Sequence, residues 1–86
     1  MAFTINSPVD DILSINNKSG IYTANPDDIN LPINTYGRVI ISKNTDSKWI
    51  FVEFIPTSLG TIYYNFYNGY SYPGWSGWAK TPLQVI

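Results

Sequence analysis

Trp49-Ile50-Phe51-Val52-Glu53-Phe54-Ile55 and Thr61-Ile62-Tyr63-Tyr64-Asn65-Phe66-Tyr67, separated by residues 56–60, are the two runs that decide the fold. In the first, the even positions Ile50, Val52 and Phe54 are wholly apolar and the odd positions are mixed. That period of two belongs to a strand with one face on a core. Pro56-Thr57-Ser58-Leu59-Gly60 between the runs is a turn by composition. Upstream, Arg38-Val39-Ile40-Ile41-Ser42 is rich in β-branched residues, which fit a pleated surface better than a helix. Lys43 to Lys48 is a polar turn. Downstream, Asn68-Gly69 is a hairpin signal, because both residues tolerate positive φ. Tyr70 to Trp78 is expected to return along the hairpin, interrupted at Pro73-Gly74, and Leu83, Val85 and Ile86 to add an edge strand.

Toward the N-terminus the signals are shorter. Ile21-Tyr22-Thr23-Ala24 reads as a strand after the turn Asn16-Asn17-Lys18-Ser19-Gly20. Residues 25–36 form a loop punctuated by Asn25-Pro26 and Leu31-Pro32, since each proline biases the residue before it away from the helical region. Ile29, Leu31 and Ile33 alternate there and are expected to pin the loop to the core. Asp10 to Ile15 has room for one helical turn capped by Asp10 or Asp11. Residues 1–8 read as an N-terminal arm, with Phe3 and Ile5 alternating with polar neighbours. No stretch sustains a 3.6-residue period. The expected fold is mainly β: a small antiparallel β sandwich or barrel-like domain over residues 9–86, with at most one short helical turn.

Composition removes whole classes of function. The 86 residues are 13% charged, roughly half the usual share, and contain neither histidine nor cysteine. Disulfides, thiolate metal sites, His-based metal sites and triads of the Ser-His-Asp type are therefore excluded. The net charge is −1 and the five basic residues Lys18, Arg38, Lys43, Lys48 and Lys80 are scattered, so nucleic acid is not an expected partner. No apolar run reaches the roughly eighteen residues that span a bilayer, and no membrane insertion is expected. The start, MAFTINSP, shows no basic segment followed by an apolar one, so no signal peptide is expected.

Of the six acids, Asp10, Asp11, Asp27, Asp28 and Asp46 fall in turns or caps, and Glu53 stands alone in a strand. No third ligand or oxyanion donor accompanies them in a recognisable spacing, so neither catalytic residues, nor a metal site, nor a cofactor is expected. What is abundant is aromatic. Eleven of the fourteen aromatic residues fall between Trp49 and Trp78. Tyr and Trp give rigid amphipathic contact area, and Asn and Ser give adaptable hydrogen bonds. A sugar ring offers an apolar C–H face for stacking and a rim of hydroxyls for bonding. Half or more of the aromatics are needed for the core of so small a domain. Trp49 and Phe66 are assigned to it, and Tyr70, Tyr72 and Trp75, beside the Pro73-Gly74 break, to the surface. The crowding of aromatics with so little charge implies a second buried or ligand-covered surface besides the core.

Several segments in order carry a resemblance. They are Asp11-Ile12-Leu13, Gly20-Ile21-Tyr22, Tyr36-Gly37-Arg38-Val39, Gly60-Thr61-Ile62-Tyr63-Tyr64, Tyr67-Asn68-Gly69 and Gly74-Trp75-Ser76-Gly77-Trp78-Ala79-Lys80. This series resembles the pyocin-knob type domain of bacteriophage tail and head fibres and of phage-derived bacteriocins. Tyr36 stands where members often have Trp, and Asn65 where they often have Arg. The resemblance implies the distal module of a homotrimeric fibre on the virion, acting outside the host cell. It also implies a host cell-surface glycan and other fibre or virion proteins as partners. The residues expected to hold the ligand are Tyr64, Asn68, Tyr70, Tyr72, Trp75 and Ser76. The alternative is a structural domain that caps or trimerises the fibre.

Overall fold

The computed structural model describes residues 5–6, 11–45, 48–57, 61–70 and 74–82. Among these residues six strands form: β1 (Ile5–Asn6), β2 (Gly20–Ala24), β3 (Gly37–Lys43), β4 (Trp49–Pro56), β5 (Thr61–Asn68) and β6 (Ala79–Pro82). They lie side by side in chain order in one sheet. β1 runs parallel to β2, and every later neighbouring pair is antiparallel.

Register sorts the side chains, because directly paired residues share a face and successive residues alternate. One set of pairs is Tyr22 with Val39, Val39 with Phe54, Ile41 with Val52, Phe54 with Tyr63, and Ile50 with Tyr67. This inner face holds the core: Tyr22, Ala24, Val39, Ile41, Ile50, Val52 and Phe54 are buried on it. The other set is Arg38 with Ile55, Ile40 with Glu53, Glu53 with Tyr64, Phe51 with Phe66, and Trp49 with Asn68. These residues form the outer face.

The loop stretches on either side of β2, residues 11–19 and 25–36, cover the inner face. Ile12 is fully buried in the core, and Leu13 and Leu31 pack against it. Burying Ile12 contributes about 1.5–3 kcal/mol, no more than the backbone entropy of ordering one or two residues. Hydrogen bonds therefore share the work of ordering these stretches. Asp11 Oδ1 accepts from Leu13 N at 3.0 Å and from Asn30 Nδ2 at 2.9 Å. Asn17 Nδ2 donates to Asp11 O at 2.8 Å. Lys43 reaches back from β3, its Nζ donating to Ile15 O and Asn17 O, both at 2.7 Å. Trp78 Nε1 donates to Asn30 O at 3.0 Å, which ties the cover to the far edge of the sheet.

The mainly β, antiparallel domain expected from the sequence is what forms, as a single open sheet. Among the described residues no second sheet stacks on it. The prolines and turn residues on either side of β2, in residues 11–19 and 25–36, cannot sustain a ladder, so these stretches supply the second layer as loop. No helix occurs among the described residues. The expected helical turn is a series of turns, with Ser14 N donating to Asp11 O and Asn17 N to Ser14 O. Of the three residues expected to pin the loop, only Leu31 packs on the core, while Ile29 and Ile33 are exposed. Between Ile29 and Leu31, Asn30 has φ of 69°, which breaks the strand alternation of its two neighbours. Ile5 does lie in a strand of the N-terminal arm. Leu83, Val85 and Ile86 lie outside the described residues.

The chain reverses after Asn68-Gly69, but not as a two-residue turn: Asn68 N donates to Gly74 O at 2.9 Å, framing a longer loop. The returning chain meets β5 at a Tyr67–Trp75 bridge and again at Tyr64–Ala79. Between these points one side carries two residues and the other three, so the returning segment holds one extra residue, a β-bulge. Gly77, with φ of 91°, lies within it. The extra residue shifts the parity, so Trp75 and Trp78, three positions apart, both pack on the core.

Candidate ligand-binding face

The outer face is where the aromatic excess goes. Trp49 and Phe51 leave β4 on this side, and Tyr64 and Phe66 leave β5 opposite them. Trp49 is 41% exposed and Phe51 37% exposed. The rings fall into two contacts along the strands. Trp49 lies 5.5 Å from Phe66 and 5.9 Å from Tyr70, centroid to centroid. Phe51 stacks on Tyr64 at 5.7 Å with planes inclined by 27°. These are the spacings at which aromatic pairs attract beyond their buried area. Tyr70 is 68% exposed and caps the row. Asn68 Oδ1 accepts from Tyr70 N at 2.9 Å, the local bond by which Asn favours turns.

Polar groups interrupt the row at defined places. Glu53 lies between Ile40 and Tyr64 in the cross-strand row next to Phe51. Arg38 and Thr23 are paired one row further on, with Ile55 beside them. Neither Arg38 nor Glu53 has an ion-pair partner among the described residues. Beside Arg38 the end of the sheet opens into a hollow of about 350 Å³, lined by Thr23, Gly37, Arg38, Ile55, Pro56 and Thr57. Among the described residues no three acidic, histidine or cysteine side chains gather to hold a metal ion.

Three of the six expected ligand-holding residues, Tyr64, Asn68 and Tyr70, come together around this face. Tyr72 lies outside the described residues. Trp75 and Ser76 do not join them. Trp75 packs its ring 5.1 Å from Tyr67, on the core side. Ser76 serves the β5 edge: its N donates to Phe66 O at 2.8 Å, and its Oγ accepts from Phe66 N at 3.2 Å and donates to Gly77 O at 3.0 Å. Asn65 is 2% exposed on the inner face, with Oδ1 3.3 Å from Ser76 Oγ, so that position looks away from the outer face.

Trp49 and Phe66, assigned to the core from sequence, stand on the outer face instead. Trp49 and Phe66 are as apolar as the residues of the covered face, so residue type alone does not say which side of the strand they take. The available signal was parity: Trp49 and Phe51 are out of phase with Ile50, Val52 and Phe54. Compared with known protein families, curated proteins and solved structures, the chain matches none.

Proposed function

We propose that this chain is a non-catalytic adhesion module of a phage fibre or related virion protein. In this reading it binds a carbohydrate of the host cell surface along the outer face of its sheet. One observation carries the reading: five aromatic rings, those of Trp49, Phe51, Tyr64, Phe66 and Tyr70, line a sheet face that no loop among the described residues covers. Exposed apolar patches of this kind mark interaction surfaces. Rings held by strand register supply stacking area without an ordering cost. Glu53 and Asn68 stand beside the rings as partners for sugar hydroxyls. The resemblance to pyocin-knob type domains supports the fibre setting.

Isothermal titration of the intact chain with fractionated host surface polysaccharide is the test. Binding is expected, with loss in the F51A/Y64A double variant while the far-UV spectrum is unchanged. No binding to any fraction overturns the reading.

A second reading rests on the same rings. The face is largely apolar and among the described residues carries two charged side chains, Arg38 and Glu53, as oligomer interfaces are depleted of charge. The domain would then cap or trimerise a fibre through it. Sedimentation of a stable monomer at micromolar concentration overturns this second reading.

A further inference from the structure

We infer that the carbohydrate is acidic, and that the hollow beside Arg38 is the subsite for its anionic group. This rests on the reading of the outer face as a saccharide platform and adds the ligand's chemical class. Three observations lead to it. The first is position. Thr23, Arg38 and Ile55 form one cross-strand row on the outer face, and Ile55 lies four residues from Phe51 on β4. The hollow is thus in line with the rings, about 13 Å further along the strand. A chain of sugars stacked on Phe51 and Tyr64 and running along the strands meets Arg38 next.

The second observation is charge. Arg38 is exposed and has no carboxylate or hydrogen-bond partner among the described residues. Its guanidinium keeps all its N–H donors, in the forked arrangement that matches a carboxylate or phosphate two bonds at a time. The third is the lining. The hydroxyl residues Thr23 and Thr57 line the hollow together with Arg38, while Gly37, Ile55 and Pro56 give an apolar wall. An apolar hollow with a few convergent polar groups is the usual form of a small-ligand site. Its volume of about 350 Å³ lies at the small end of such sites, enough for one charged ring. Glu53, one row nearer the rings, is a hydrogen-bond acceptor and repels an anion. The charged unit is therefore directed to the Arg38 end and neutral hydroxylated units to the middle.

A uronic acid carboxylate and a sugar phosphate ester share this chemistry, and the experiment separates them. The intact chain is titrated with a uronic-acid oligosaccharide, with its carboxyl-reduced neutral counterpart, and with a phosphorylated oligosaccharide of the same length. Amide chemical shifts report the site. At least one acidic form is expected to bind about fivefold tighter than the neutral form, with shifts at Thr23, Arg38 and Thr57 and a preference that shrinks as salt is raised. R38Q is expected to abolish the preference while leaving neutral binding intact, and R38K to keep part of it. Equal binding of acidic and neutral forms, or a preference that survives R38Q, overturns the subsite and leaves the carbohydrate reading standing. Binding of none of the three overturns both.

Discussion

Phe51 and Tyr64 stack across two strands without being paired. Phe51 is opposite Phe66, and Tyr64 is opposite Glu53, so the 5.7 Å contact runs diagonally over the outer face. Such diagonal pairs on a sheet are worth a few tenths to about 1 kcal/mol. F51A or Y64A is therefore expected to lower stability by about 1 kcal/mol or less, while binding to surface carbohydrate falls about tenfold. Urea unfolding read beside titration checks this. Loss of several kcal/mol in either variant would mean that the pair belongs to the core.

Ile12 is the anchor of the cover. It is fully buried, and no strand holds it. I12A is expected to cost about 2–5 kcal/mol, as for other large-to-small changes in a closed core. Amide exchange should accelerate first in residues 11–19, before the β3–β4 ladder. Uniform acceleration over all strands would show that cover and sheet unfold as one unit.

Gly74 and Gly77 separate two costs. Both have positive φ, 100° and 91°. A Cβ at Gly74 would lie 2.6 Å from Tyr67 Cε1, whereas one at Gly77 would have nothing within 4 Å. G77A is expected to cost about 1 kcal/mol, the backbone strain alone. G74A should cost more, because the Tyr67 ring and the Trp75 ring on it must also move. Paired thermal unfolding measures the difference. Equal losses would show that the ring yields freely.

Tyr22 gives the domain an alkaline limit. Burial pushes its phenol above the ordinary tyrosine value of 10.0. Its hydroxyl donates to Lys18 O at 2.5 Å. Below pH 10 both folded and unfolded chains keep the proton, and this group's contribution is fully present. Above about pH 10 the unfolded chain releases the proton first, so stability falls as pH rises through the folded-state value. Urea midpoints measured between about pH 8 and pH 11 should decline at the upper end. Y22F should flatten that decline at the cost of one hydrogen bond, about 1 kcal/mol. An unchanged decline in Y22F would assign the effect to other groups.

The strands from Ile21 to Tyr67 were legible because β-branched and aromatic residues alternate there with clear turn signals, and local rules suffice. The single sheet was less legible. A sandwich and a sheet covered by loop leave the same alternation on β3 and β4, and only long-range contacts of Ile12, Leu13 and Leu31 decide between them. The candidate face was half legible for a related reason. Tyr64, Asn68 and Tyr70 could be named from residue type, but Trp49 and Phe66 are as apolar as core residues. Trp75 was assigned to the surface because it stands beside the Pro73-Gly74 break, whereas its bridge to Tyr67, which local composition does not reveal, brings its ring onto the core.

The division of β3, β4 and β5 by parity has an evolutionary consequence. Positions 38, 40, 42, 49, 51, 53, 64 and 66 project from one side of the sheet, and Val39, Ile41, Ile50, Val52 and Phe54 maintain the fold from the other. The two alphabets are interleaved in sequence but thermodynamically almost independent, since substitutions without shared contacts add. Selection can rewrite what the outer face presents, one alternate residue at a time, without renegotiating how the domain folds.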